Sequence, residues 1–277
     1  MTNKGTQNDM PYEGEADPGL AGFEDPLEHL RRALEQNELQ IYCQPIRALH
    51  GMGDRYPLAE VLVRMREEES ALLPPGDFLP VFEHYRMLTD LDCWVAEKTL
   101  QWIAKGQPGG IRSYSINVSS QSLDDTRLLD CIASALGASG LRPDLLCMEI
   151  DEVDTLLKAE ATERFVHAVR ALGCGLIIDG FARRSVSFAA VKALQPDFVK
   201  VDGAIVRKLA TSAVAQLKLK SIVRVGAVTG IGIIAECVED DLVLAQLEEL
   251  GVGFAQGFGI AVPQPIESGG IAPLDSG

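Results

Sequence analysis

The chain has 277 residues, 47% of them apolar and 23% charged, the balance of an ordinary globular domain. Its 40 acidic residues outnumber 25 basic ones, for a formal charge of −15. This excludes general nucleic-acid binding, which needs a basic footprint, and means that an anionic ligand needs local help from metal ions, arginines or backbone N–H groups.

Residues 1–23 are rich in Gly, Asn, Asp, Glu and Pro without periodicity, and read as a disordered acidic leader, the remnant of a linker if a longer protein precedes it. Asp25-Pro26 reads as an N-cap with proline at the first helical position, opening a helix with Leu27, Leu30 and Leu34 on one face and an end near Asn37. Short apolar runs then alternate with amphipathic segments. The runs are Leu39–Cys43, Leu58–Val63, Ser113–Val118, Leu145–Ile150, Leu176–Ile178, Phe198–Val201, Gly232–Ala235 and Val252–Phe254. The intervening helices are expected over Leu91–Ile103, Leu123–Leu136, Ala159–Leu172, Val186–Leu194, Ala213–Ala227 and Asp241–Leu250.

Strands alternating with helices imply parallel crossovers, and eight strands over this length match a TIM-like (β/α)8 barrel. A doubly wound open sheet is the weaker alternative, because no GxGxxG follows the first run. The ordered domain is expected over 24–266, with 267–277 a flexible tail. Cys43, Cys93, Cys131, Cys147, Cys174 and Cys237 are scattered without CxxC pairing, as reduced thiols of a cytosolic protein would be. No run of about 18 apolar residues would cross a membrane, and no signal-peptide core opens the chain. A soluble, cytoplasmic protein is the expectation.

A polar residue stands at or near the end of each run after the first. These are Glu60 and Arg64, then Asn117, Glu149 with Glu152, Asp179, Lys200 with Asp202, Glu236 and Gln256. Charge beside apolar residues is costly unless it is paired or bound to metal. In a barrel such positions converge on the C-terminal mouth, where active sites are built. Carboxylates with carboxamide oxygens make a hard donor set suited to Mg²⁺ or Mn²⁺. Such ions polarise a phosphoryl oxygen, and a pair of them clamps both oxygens of a displacement.

In order and spacing these residues resemble the EAL-domain family, the bacterial phosphodiesterases that linearise the second messenger cyclic di-GMP. The resemblance runs from about residue 25 to 265. It rests on Gln44-Pro45-Ile46, Glu60-Val61-Leu62-Val63-Arg64 at the EALLR signature and Asn117-Val118-Ser119 at NxS. Further on come Glu149-Ile150-Asp151-Glu152 at EITE, Lys200-Val201-Asp202 at KID, Glu236-Cys237-Val238-Glu239 at EGVE and Gln256-Gly257-Phe258 at QGY, with Pro263 downstream.

By this resemblance Glu60, Asn117, Glu149 and Asp179 hold a first Mg²⁺ or Mn²⁺ and Glu236 serves the metal centre. Lys200 and Gln256 complete the water shell and Asp202 supports Lys200. Gln44, Leu62, Arg64 and Pro263 touch the dinucleotide, and Glu152 anchors the loop after the fifth strand. The resemblance also implies a homodimer, formed through the helix near 180–230.

That loop departs from the family. DDFGTG becomes Asp179-Gly180-Phe181-Ala182-Arg183-Arg184, so the second aspartate, which helps hold a second metal, is Gly180. One metal site stays buildable and the second loses an anion. Arg183 or Arg184 is expected to face water, to pair with Glu152 or Glu149, or to reach a ligand phosphate. Three functions follow. The leading one is a cyclic di-GMP receptor with weak or no phosphodiesterase activity, passing the signal to a protein partner. The others are an active phosphodiesterase producing pGpG and a nucleotide-independent interaction module.

Overall fold

The computed structural model describes residues 25–36, 38–50, 57–66, 72–73, 75–106, 111–184 and 188–266. The expected leader and tail lie outside them. The eight runs all become strands: β1 Leu39–Ala48, β2 Leu58–Arg66, β3 Ser113–Asn117, β4 Leu146–Asp151, β5 Gly175–Phe181, β6 Phe198–Val201, β7 Gly232–Ala235 and β8 Phe254–Ala255. They pair in that order, and β1 closes the ring by pairing with both β2 and β8. The result is a closed eight-stranded TIM-like (β/α)8 barrel.

One expectation needs correction. β2 through β8 are parallel neighbours, but β1 runs antiparallel to both of its own. The physical reason is chain length: a parallel crossover needs a dozen or more residues, and only a short connection joins β1 to β2. The two strands also outrun the barrel. Leu58 to Val61 pair with β3, while the pairing with β1 continues to Met65 opposite Leu39. A two-stranded wall therefore rises above the mouth. Two-residue strands at Leu72–Leu73 and Gln264–Pro265 brace it.

Eleven helices are described: α1 Pro26–Glu35, α2 Pro75–His84, α3 Leu88–Lys105, α4 Ser120–Leu123, α5 Arg127–Ser139, α6 Glu152–Leu157, α7 Ala159–Leu172, α8 Phe188–Leu194, α9 Gly203–Val206, α10 Ala213–Thr229 and α11 Asp241–Glu249. Asp25 caps α1 as its sequence signals, accepting the Glu28 N–H at 3.1 Å. The expected helix Leu123–Leu136 is broken in two, because the Asp125 carboxylate accepts the Arg127 N–H at 2.9 Å and closes a local turn between α4 and α5.

The core lies between the barrel wall and the helices. Its anchors include Tyr114, Phe78, Phe82 and Phe181, all fully buried. Inside the barrel a small plug of Ile46, Leu58 and Ile234, packed by Phe198 and Phe254, fills the lower layer. Side chains two residues further along a strand share that face. Lys200, two beyond Phe198, and Glu60, two beyond Leu58, therefore sit on top of the plug.

Candidate active site at the barrel mouth

The centre of the mouth is Lys200, a lysine only 1% exposed. Its Nζ donates to Glu149 Oε1 at 2.6 Å and Glu60 Oε2 at 2.9 Å, and Glu236 Oε1 lies 3.2 Å away. Burial alone would discharge it. The surrounding carboxylates outweigh that and push its pKa well above the ordinary value.

Glu60 lies mid-strand, facing inward. Burial opposes its charge, but Lys200 and hydrogen bonds from Asn117 Nδ2 at 2.9 Å and Gln256 Nε2 at 2.6 Å hold its pKa below the usual value. Gln256 Nε2 also donates to Gln44 Oε1 at 3.0 Å, and Gln44 donates to the Ala261 carbonyl at 2.9 Å. Glu149 is the opposite case. It accepts from Lys200 alone, burial is the largest influence, and its pKa is pushed well up. Burial likewise lifts Glu236 to about 7, with Asp179 and Glu60 adding to it against Lys200.

Among the described residues no group of three or more His, Cys, Asp or Glu closes on a single point that would hold a metal as placed. The Lys200 ammonium occupies the space between the carboxylates. The donor set nonetheless fits a cation. Glu149 Oε2 and Gln256 Oε1 are buried and have no hydrogen-bond partner, a costly state that a bound ion or an ion-held water would relieve. Half-buried Asp179 and exposed Asn117 stand at the ends of the neighbouring strands. Glu60, Asn117, Glu149 and Asp179, with Glu236, are the residues that would hold a divalent ion here. When bound it would polarise a phosphoryl oxygen.

The end of β5 is built by a bulge. Ile178 pairs with Val199 and Phe181 with Val201, so Asp179 and Gly180 together oppose Lys200. Gly180 takes φ +64°, the left-handed conformation that such a bulge favours in glycine. Ala182 follows at φ +68°, which is strained for a residue with a Cβ. It is held there by its N–H, donated to Glu152 Oε2 at 3.1 Å.

Arg183 hydrogen-bonds to neither Glu149 nor Glu152, the two carboxylates expected for it. Its Nε donates to Asp202 Oδ2 at 2.7 Å and its Nη1 to Asp151 Oδ2 at 3.0 Å, so it spans from the end of β6 to the end of β4 across the top of β5. Glu149 and Glu152 have other partners. Arg184 is exposed. Asp202 serves Arg183 and caps α9 through the Ala204 N–H at 2.9 Å, instead of supporting Lys200.

On the rising wall Arg64 donates from Nη1 to its neighbour's Val63 carbonyl at 2.8 Å and lies over the Tyr42 ring, 5.8 Å from its centroid. Leu62 pairs opposite Tyr42, and half-buried Pro263 precedes the short strand that braces the same wall.

Two residues of this region escaped sequence reasoning. Tyr42 is signalled by alternation alone, two before Gln44 on the same face. Asp151 ends β4, caps α6 through the Val153 N–H at 2.7 Å and holds Arg183. Beneath the mouth Asp92 of α3 pins the turn after Asn117, accepting the Ser119 N–H at 2.8 Å and the Ser122 hydroxyl at 2.7 Å. The opposite, N-terminal face also holds a hollow, with the Arg142–Asp144 and Arg170–Asp197 pairs on its rim.

The family model for the EAL domain matches residues 27–263, nearly the whole described chain. The chain belongs to the EAL domain family. It is 31% identical over 240 residues to the cyclic di-GMP phosphodiesterase PdeB of Shewanella oneidensis, covering 86% of this chain and 28% of that protein. It spans 28–32% of the length of the first three curated relatives it matches. Among solved structures, the FimX EAL domain of Pseudomonas aeruginosa bound to c-di-GMP superposes with a TM-score of 0.80 at 28% identity, covering 87% of this chain and 96% of that one. The manganese/cy-diGMP complex of Klebsiella pneumoniae BlrP1 follows with a TM-score of 0.73 at 26% identity, covering 84% of this chain and 57% of that one. With β1 reversed and the ring closed, this EAL domain presents its strand-end residues on one face.

Proposed function

We propose that this EAL domain binds cyclic di-GMP at the barrel mouth and acts as a receptor with weak or no phosphodiesterase activity. The observation that carries the reading is the end of β5. Where the family motif has a second aspartate, Gly180 offers no side-chain oxygen, and a guanidinium lies against it. The rest of the ring is assembled, so one Mg²⁺ or Mn²⁺ site is buildable and the second is not. Gln44, Leu62, Arg64 and Pro263, with Tyr42, provide the surface for the nucleotide. The relatives' cyclic di-GMP and manganese ligands support this choice of chemistry.

Residual phosphodiesterase activity, yielding pGpG, is the second reading, favoured by the intact set Glu60, Asn117, Glu149, Asp179, Lys200 and Glu236. A nucleotide-independent interaction module is the third outcome of the same test. Homodimerisation and a protein partner belong to the proposal as well. α6 exposes Leu156 and Leu157, and α10 exposes Val214 and Leu217, as apolar surface for them. A cytoplasmic location is part of it too; among the described residues no helix is long and apolar enough to cross a membrane.

The test is calorimetric titration with cyclic di-GMP, first with chelator and then with Mg²⁺ or Mn²⁺, followed by chromatography for pGpG over hours. Binding without turnover is expected. Turnover abolished by Glu60→Ala would establish the enzyme instead, and absence of heat under every condition would leave only the interaction module.

A further inference from the structure

Arg183 has an unusual seat. Two carboxylates, one ending β4 and one just after β6, hold its guanidinium, at 2.7 Å from Asp202 and 3.0 Å from Asp151. Such charge-assisted bonds fix a planar fork in place. The third side of the seat is Gly180. A Cβ there would stand 2.5 Å from Nη2 and 2.9 Å from Cζ, so the guanidinium fills the space a side chain at 180 would need. In its present seat the arginine at 183 therefore depends on the glycine at 180. Nη2 makes neither carboxylate bond and the side chain remains 46% exposed, so part of the cation is open to solvent.

We infer that Arg183 is a built-in cation that takes the place of a second divalent ion, holding one phosphodiester of a bound cyclic dinucleotide while restricting the mouth to a single metal. This rests on the receptor reading for its ligand, but not for its metal count. The location follows from the bulge: Asp179 and Gly180 bring the end of β5 between Asp151 and Asp202, and the guanidinium bridges all three strand ends. A divalent ion at this point would have to displace the guanidinium from the two carboxylates it already occupies.

A consequence separates this from simple loss of a ligand. Aspartate tolerates the left-handed backbone at position 180 better than most residues do. Gly180→Asp alone would nevertheless place its carboxylate against Arg183 and neutralise it, without creating a metal site. Only Gly180→Asp combined with Arg183→Ala frees a carboxylate for a cation.

The experiment counts Mn²⁺ bound per chain by electron paramagnetic resonance, with no nucleotide present. The wild-type chain, Gly180→Asp and Arg183→Ala are each expected to bind one ion, and the double variant two. A second ion in wild type or in Gly180→Asp, or only one in the double variant, overturns the exclusion role.

A second arm titrates cyclic di-GMP in chelator at two salt concentrations. Arg183→Ala is expected to weaken binding about tenfold or more, the size of a lost charged hydrogen bond, and to flatten the salt dependence. Weaker binding with an unchanged salt slope would mean that Arg183 only ties strand ends together, which overturns the phosphate role. If the wild-type chain binds no nucleotide at all, the receptor reading fails, while the Mn²⁺ counts still decide the metal role.

Discussion

Replacing Lys200 with methionine isolates the energetics of the mouth. Methionine nearly matches lysine in length and lacks the charge and the N–H donors that reach Glu60 and Glu149. It would leave Glu149, whose side chain is 0% exposed, and Glu60, 10% exposed, without the cation now 2.6 and 2.9 Å away. Removing one partner of a buried ion pair costs about 3–5 kcal/mol, because the remaining charge is uncompensated. That range is expected for Lys200→Met at pH 8 in chelator, measured by urea unfolding.

The cost should shrink on acidification. Without Lys200 burial is no longer opposed by a cation at Glu149, whose carboxyl already lies well above its ordinary range, and is less opposed at Glu60. Such groups contribute stability that is present at low pH and lost as pH rises through the folded value. Repeating the unfolding at pH 5 should therefore recover about 1 kcal/mol or more, one pKa unit being worth about 1.4 kcal/mol. A penalty under about 1 kcal/mol at pH 8, against that 3–5 kcal/mol expectation, would refute the reasoning. So would a penalty that does not change with pH.

Further outcomes follow from other contacts. Burial pushes the Asp92 carboxyl up to about 6 from 3.8, against its bonds from Ser119 and Ser122. The wild-type chain should thus lose about 2 kcal/mol between pH 4 and 7 from this group. Asp92→Asn keeps an acceptor for both donors and should remove that loss; an unchanged difference between the two variants across this range would count against it. In Glu152→Ala the Ala182 N–H loses its acceptor, which should cost about 1–3 kcal/mol and speed amide exchange at Ala182, while Glu152→Gln should restore protection. A Cβ added at Gly257 would overlap the backbone of Val238. Gly257→Ala should therefore cost about 1–3 kcal/mol and displace Gln256 from Glu60, seen as weaker Mn²⁺ binding in titration; unaltered stability and affinity would contradict the close approach.

The strands and the chemistry of the mouth were legible in the chain because both are local signals. An apolar run of four to eight residues marks a buried strand wherever it lies, and an acid or amide at its end marks the exposed rim. Glu60, Asn117, Glu149, Asp179, Lys200, Glu236 and Gln256 could be named from such ends and from motif order. Gly180 stood out as the missing carboxylate for the same reason.

The direction of β1, the break after α4 and the partners of Arg183 were not legible, because each is settled by residues distant in sequence or by short polar turns. Lys200 reaches Glu60 across 140 positions and Gln256 reaches Gln44 across 212. Arg183 could have faced water, Glu152 or a ligand on local grounds. Only the closed ring sets Asp151 and Asp202 on either side of β5, and only the bulge at Asp179-Gly180 opens the space between them. Sequence alone determined that a carboxylate is missing from this rim; the tertiary structure decided what stands there, because a planar cation is fixed only when two anions from neighbouring strands converge on it.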